Sequence, residues 1–118
     1  MRAQLKFLDL EPDPASLPSD PAEFVLLARM IVGPQDAPGE ESFDVVVCTP
    51  EWLAAQCRAH GGLYDPRHHL VVTLDTFDKR ALRTWLDARV RAVEAATWGE
   101  IGERLGRLAL WEFEDYTP

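Results

Sequence analysis

The chain has 118 residues, 47% of them hydrophobic, with four Trp, five Phe and a formal net charge of −8. That length fits one domain spanning residues 1–118 and is short for two, and the apolar content suffices for a core without disulfides or metals. The acidic balance excludes the basic footprint that nucleic acid demands, and no uncharged apolar stretch approaches the roughly 18 residues of a membrane span.

In chain order, residues 3 to 10 alternate loosely around Leu5, Phe7 and Leu10, as a strand does. Glu11 to Pro21 holds four prolines and cannot be regular. Residues 23 to 32 form an almost continuous apolar run. A helix is compatible with it, but its brevity, its Val and Ile, and the following Gly33-Pro34 favour a central strand. After a loop rich in Gly, Pro and acids, Phe43 to Cys48 is a β-branched third strand, which completes a three-stranded meander.

The period then changes. Thr49-Pro50-Glu51 is a helix start, with a capping hydroxyl, a proline at the first helical position and an acid favoured by the dipole. That helix runs to about His60 and ends at Gly61-Gly62. Residues 69 to 74 read as a fourth strand, and Asp75 or Thr76 caps a long helix from Phe77 to about Ala96. Leu82, Trp85, Leu86, Val90 and Val93 mark its apolar stripe, with Lys79, Arg80, Arg83, Asp87, Arg91 and Glu94 opposite. Thr97-Trp98-Gly99-Glu100 is a capping box for a shorter helix to about Arg107, with Trp98, Ile101, Leu105 and Leu108 inward. The final strand contains Trp111. The expected fold is α+β, a mainly antiparallel sheet of about five strands with helices packed largely on one face, in the order β-β-β-α-β-α-α-β.

Two segments stand out. Leu110-Trp111-Glu112-Phe113-Glu114-Asp115-Tyr116 is a W-E-F-x-x-Y run, and Phe43 to Leu53 is a strand that turns directly into a helix through Thr49-Pro50. Together they resemble the immunity protein 8 family of bacterial polymorphic-toxin systems. The resemblance covers most of the chain and implies an inhibitor that binds the toxin domain encoded beside it, not an enzyme. In a strand Trp111, Phe113 and Asp115 point one way and Leu110, Glu112 and Glu114 the other. Trp111 and Phe113 are therefore expected in the core, with Tyr116 closing the sheet edge, and Glu112 and Glu114 on an open face where carboxylates can meet a partner's cations.

Charge is unevenly spread: residues 1 to 66 carry 11 acids against 4 bases, and 67 to 118 carry 9 against 8. The loop from Asp36 to Asp44, with Glu40 and Glu41, has no internal partner evident from sequence. Asp36, Glu40, Glu41 and Asp44, joined by Glu112 and Glu114, are thus the candidate partner-binding residues, set against the plainer reading of a solvated hairpin turn. A basic, nuclease-like toxin would suit them.

Catalytic candidates are thin. Cys48 ends an apolar strand, where a thiol is usually an inert small hydrophobe. His68 and His69 are adjacent, so a strand sends them to opposite faces. HExxH, zinc-ligand spacing and Gly-rich phosphate loops are absent, and no cofactor is expected. Cys48 and Cys57 lack CxxC spacing, and no secretory h-region precedes them, which points to a reduced, cytoplasmic setting. The expected function is toxin neutralisation. An adaptor or regulatory subunit using the same acidic surface is the alternative, and a small hydrolase or ligand-binding module comes third.

Overall fold

A computed structural model describes residues 1–111. The three apolar runs of the first half form β1 (Ala3–Glu11), β2 (Val25–Pro34) and β3 (Glu41–Cys48), paired antiparallel in the order β1-β2-β3. The proline-rich connection between β1 and β2 contains two single 3₁₀ turns, each opened by an Asp whose carboxylate accepts a backbone N–H, Asp13 from Ala15 and Asp20 from Ala22. Helix α1 (Pro50–Ala59) then leads to β4 (His69–Val71), α2 (Lys79–Arg91), α3 (Trp98–Leu105) and β5 (Leu110–Trp111). This is the expected α+β order and, among the described residues, a five-stranded sheet.

The far edge of β3 is shared. Strand β4 pairs parallel to Val46–Cys48, and β5 pairs antiparallel to Phe43–Asp44. One sheet face is the core. It presents Leu26, Ala28, Met30 and Val32 of β2 and Phe43, Val45 and Val47 of β3, all essentially solvent-free, to Leu82, Leu86 and Val90 of α2 and Ile101 and Leu105 of α3. Helix α1 lies on the other face, at one end. Its Trp52 rests 5.9 Å from His69, which pairs with Val46 and so shares the side opposite Val45 and Val47.

Thr49 holds the joint between β3 and α1. Fully buried, its hydroxyl accepts the Trp52 N–H at 3.1 Å and donates to the Pro21 carbonyl, so one side chain caps a helix and ties down the β1–β2 connection. At the other end Gly61 and Gly62, at φ +67° and +89°, end the helix as expected, and the Gly62 N–H returns to the Cys57 carbonyl at 2.7 Å.

Four local expectations need correction. Phe7, grouped with Leu5 and Leu10 in the loose alternation, does not share their face: the register slips between Leu5 and Phe7, so Leu8 and Leu10 face the core and Phe7 stands 57% exposed. Strand β2 continues through Gly33 and Pro34 instead of stopping there, because Pro34 faces Ala3 across the ladder near its end. Strand β4 ends at Val71, and Leu74–Thr76 is a 3₁₀ turn. Helix α2 begins at Lys79, two residues past the expected Phe77, capped by Asp78 in place of Asp75 or Thr76, its carboxylate accepting the Arg80 N–H at 3.0 Å, and stops at Arg91 rather than Ala96. The stop has a tertiary cause: the Val93 carbonyl accepts from Ala3, and the Ala95 N–H donates to Met1, so a bridge to β1 takes backbone groups a longer helix would use. The shorter α2 keeps Leu82, Leu86 and Val90 inward, while Trp85 is 39% exposed beneath the Arg89 guanidinium, 5.0 Å from its ring centre.

Thr49→Val keeps the shape and removes both hydrogen bonds. The expected cost is about 2 kcal/mol, the sum of a lost cap and an unpaired carbonyl, read as a lower urea midpoint at unchanged slope.

Candidate functional site

The acids singled out from the sequence do not form one patch. Asp36 and Glu40 lie exposed in the connection from residue 35 to residue 40, between β2 and β3. Glu41 and Asp44, expected in the same partnerless loop, are instead in β3, where alternation sends them to opposite faces. Glu41 lies on the side of Phe43, and its carboxylate accepts the Trp111 indole N–H at 2.5 Å. Asp44 lies on the other side and receives Arg29 in a two-pronged pair, Nε to Oδ1 at 2.9 Å and Nη2 to Oδ2 at 3.1 Å. Both acids thus have internal partners. The extent of β3 and its pairing with β2 could not be read from the loop's composition. Glu112, Phe113, Glu114 and Tyr116 lie outside the described residues.

Trp111 anchors the motif. It stacks nearly parallel on Phe43, ring centres 6.0 Å apart at 7°, across the β3–β5 pair, and its outer ring lies over α3 at Gly102. A Cβ on Gly102 would come within 2.8 Å of the indole, so that glycine is a packing necessity. The half-buried ring joins β5 to the meander and to a helix. Leu110 points the opposite way and is 45% exposed.

The face away from the core is organised in rows across the strands. Phe7, Ile31 and Ser42 form one row; Asp9, Arg29, Asp44 and Leu110 the next; Glu11, Leu27, Val46 and His69 a third. Helix α1 reaches only the end marked by His69 and the buried Cys48. The Arg29 pKa is raised, first by its hydrogen bonds and attraction to Asp44; desolvation opposes this, and Glu11 and Asp9 add weaker attractions in the same direction as Asp44. Three carboxylates surround one guanidinium, and the acidic turn of Asp36 and Glu40 lies beyond the Phe7–Ile31 end. Sequence reasoning missed Asp9, Glu11 and Arg29. The signal available was the adjacent pair Phe7-Leu8, which breaks strict alternation and marks a phase slip.

The groups suited to chemistry are occupied structurally. Burial pushes the Cys48 thiol up to about 11, away from the thiolate. Tyr64 packs between Trp52, His60 and His69, and its hydroxyl meets His69 Nε2 at 2.9 Å. His68, at φ +58°, turns away to the Gly106 carbonyl at 2.7 Å, so the two neighbouring histidines diverge. Trp52 therefore belongs to this aromatic cluster and not to the main core. Among the described residues no group of His, Cys, Asp or Glu is arranged to hold a metal ion, and no helix is long and apolar enough to cross a membrane.

A meander closed by a Trp-bearing last strand, with the strand-into-helix joint at Thr49, is the pattern that the sequence motifs foreshadowed. Comparison with protein families finds immunity protein 8 matching residues 3–116, nearly the whole chain. The chain belongs to the immunity protein 8 family. No curated protein and no solved structure matched. Membership of immunity protein 8 implies a toxin-binding inhibitor and gives Trp111 a structural meaning: in this member it fixes the closing strand.

Gly102→Ala should destabilise by about 1 to 2 kcal/mol despite alanine's higher helix propensity, because the indole has to move. In a Trp111→Ala background, itself costing about 3 kcal/mol, the same change should turn neutral or stabilising; a double-mutant cycle by urea unfolding reads the reversal. Cys48 should resist alkylation at pH 8 until the chain unfolds. Its folded pKa is raised, so the unfolded thiol ionises first: stability should hold below about pH 9 and fall as pH rises towards 11, by comparison of wild type with Cys48→Ala.

Proposed function

We propose that this chain, acting as a single domain in the bacterial cytoplasm, binds and neutralises a toxin domain encoded nearby, one to one and without cofactor or catalysis. The observation that carries the reading is the family match across residues 3–116. Charge supports a basic partner: the first 66 residues carry 11 acids against 4 bases, and Asp36 and Glu40 are exposed on a turn at the end of the sheet. Toxins that cleave nucleic acid need basic clefts, and an acidic protein can occupy the position of the phosphates and exclude substrate by bulk and charge alone. Glu41 and Asp44 contribute field while engaged with Trp111 and Arg29, and Glu112 and Glu114 extend the acidic set in sequence.

The test is coexpression with the toxin domain of the adjacent reading frame. Wild type should restore growth, and a chain that neither restores growth nor binds the domain would sink the reading. Asp36→Lys with Glu40→Lys should slow association about tenfold at low salt, with little change in dissociation or in melting temperature, and the difference should shrink at high salt. Unchanged association rates would remove the turn from the encounter.

A further inference from the structure

The uncovered sheet face has a composition that a merely solvated surface does not require. Two helices cover the core face, but among the described residues the opposite face is covered only at its His69 end, by α1. At its two margins stand exposed apolar side chains, Phe7 on β1 at 57% and Leu110 on β5 at 45%, three strands and one row apart, about 16 Å if strands lie about 4.8 Å from one another and residues rise about 3.4 Å each. Between them runs the row Asp9–Arg29–Asp44, with Ile31 half-buried beside it and Glu11 one row on. The Arg29–Asp44 pair is already satisfied within the protein, and Asp9 and Glu11 are carboxylates for which no bonded cation is seen among the described residues.

We propose that this face is the toxin-docking surface, and that its occupant is a protein surface in which basic side chains, placed to meet Asp9 and Glu11, flank apolar groups that cover Phe7 and Leu110. This rests on the immunity reading and deepens it. Charge decides the class of occupant. The face carries Asp9, Glu11 and Asp44, with exposed Asp36 and Glu40 beyond its end, against Arg29 and Lys6, the lysine donating to the Ala37 carbonyl, so acids outnumber cations: a second copy of this chain would set like charge against like, and nucleic acid would be repelled. A partner with cations complements it, and burying the two apolar margins excludes water from the ion pairs between them, the arrangement in which interface contacts count most. Arg29 then has a positioning role: held flat by Asp44, it keeps the centre of the face from becoming a purely acidic strip and sets the register of incoming cations.

Phe7 and Glu11 are exposed and Asp9 is half-buried on the outward face, outside the core, so their variants should fold. Phe7→Ser should weaken binding of the purified toxin domain about tenfold or more through faster dissociation, whereas Asp9→Lys with Glu11→Lys should slow association about tenfold and flatten its salt dependence. Leu63→Ser, on an apolar side chain 83% exposed in the α1–β4 connection, should bind as wild type and serves as control. Melting curves check that each variant is folded. Wild-type binding that is unchanged in both face variants would overturn this docking surface and leave the immunity reading intact. A wild type that does not bind the toxin domain would overturn both. Self-association of the wild type that Phe7→Ser abolishes, with toxin binding unaffected, would replace the proposed occupant by a second copy.

Discussion

Strand β3 has one free edge, and two segments divide it. At its Cys48 end β4 runs parallel; at its Phe43 end β5 runs antiparallel. From Thr49 to Trp111 the chain is therefore one excursion clipped twice to the same strand, and the helices packed on the core face are placed by where those two clips fall, together with the bridge from Val93 and Ala95 to Met1 and Ala3. The β4 pair is three residues long. The β5 clip is reinforced by side chains, since Trp111 stacks on Phe43, bonds Glu41 and presses on Gly102.

The same strand divides the molecule into a dry side and a wet side. Phe43, Val45 and Val47 look into the helices, whereas Asp44 looks outward to Arg29. Alternation along one strand thus sets core and candidate interface back to back, so that what stabilises one face fixes the geometry of the other. A tightly paired scaffold beneath a charged surface is also what an inhibitor of a folded partner requires, since little ordering remains to be done on binding.

Much of this was legible in the sequence where local signals and tertiary demands agreed. The meander could be read from β-branched runs, and Thr49 and Thr97 as caps, because a hydroxyl before a helix has few other uses; each accepts the expected N–H, from Trp52 and Glu100. What escaped depended on distant partners. The end of α2 is decided by Met1 and Ala3, far away in sequence, and the outward turn of Phe7 by a single bulged residue. The acids of the candidate site were readable as acids but not as paired or unpaired: Asp44 meets an arginine fifteen positions earlier, and Glu41 an indole seventy positions later. Composition shows which charges exist; only the register of the sheet shows which are already spent.

The place of β5 in the chain has a consequence for the order in which the protein becomes competent. The meander closes through connections of 13 and six residues, but β5 can pair with Phe43 and Asp44 only after α1, β4, α2 and α3 have been made and folded back, so among these pairings its docking has the greatest loop-closure cost. Leu110 arrives with Trp111, and with it the last member of the row that begins at Asp9. A ribosome delivers these residues after every other strand, so the outward face is finished only when the inward one has been sealed, and a chain that has not completed its own assembly lacks part of the surface with which it would meet a partner.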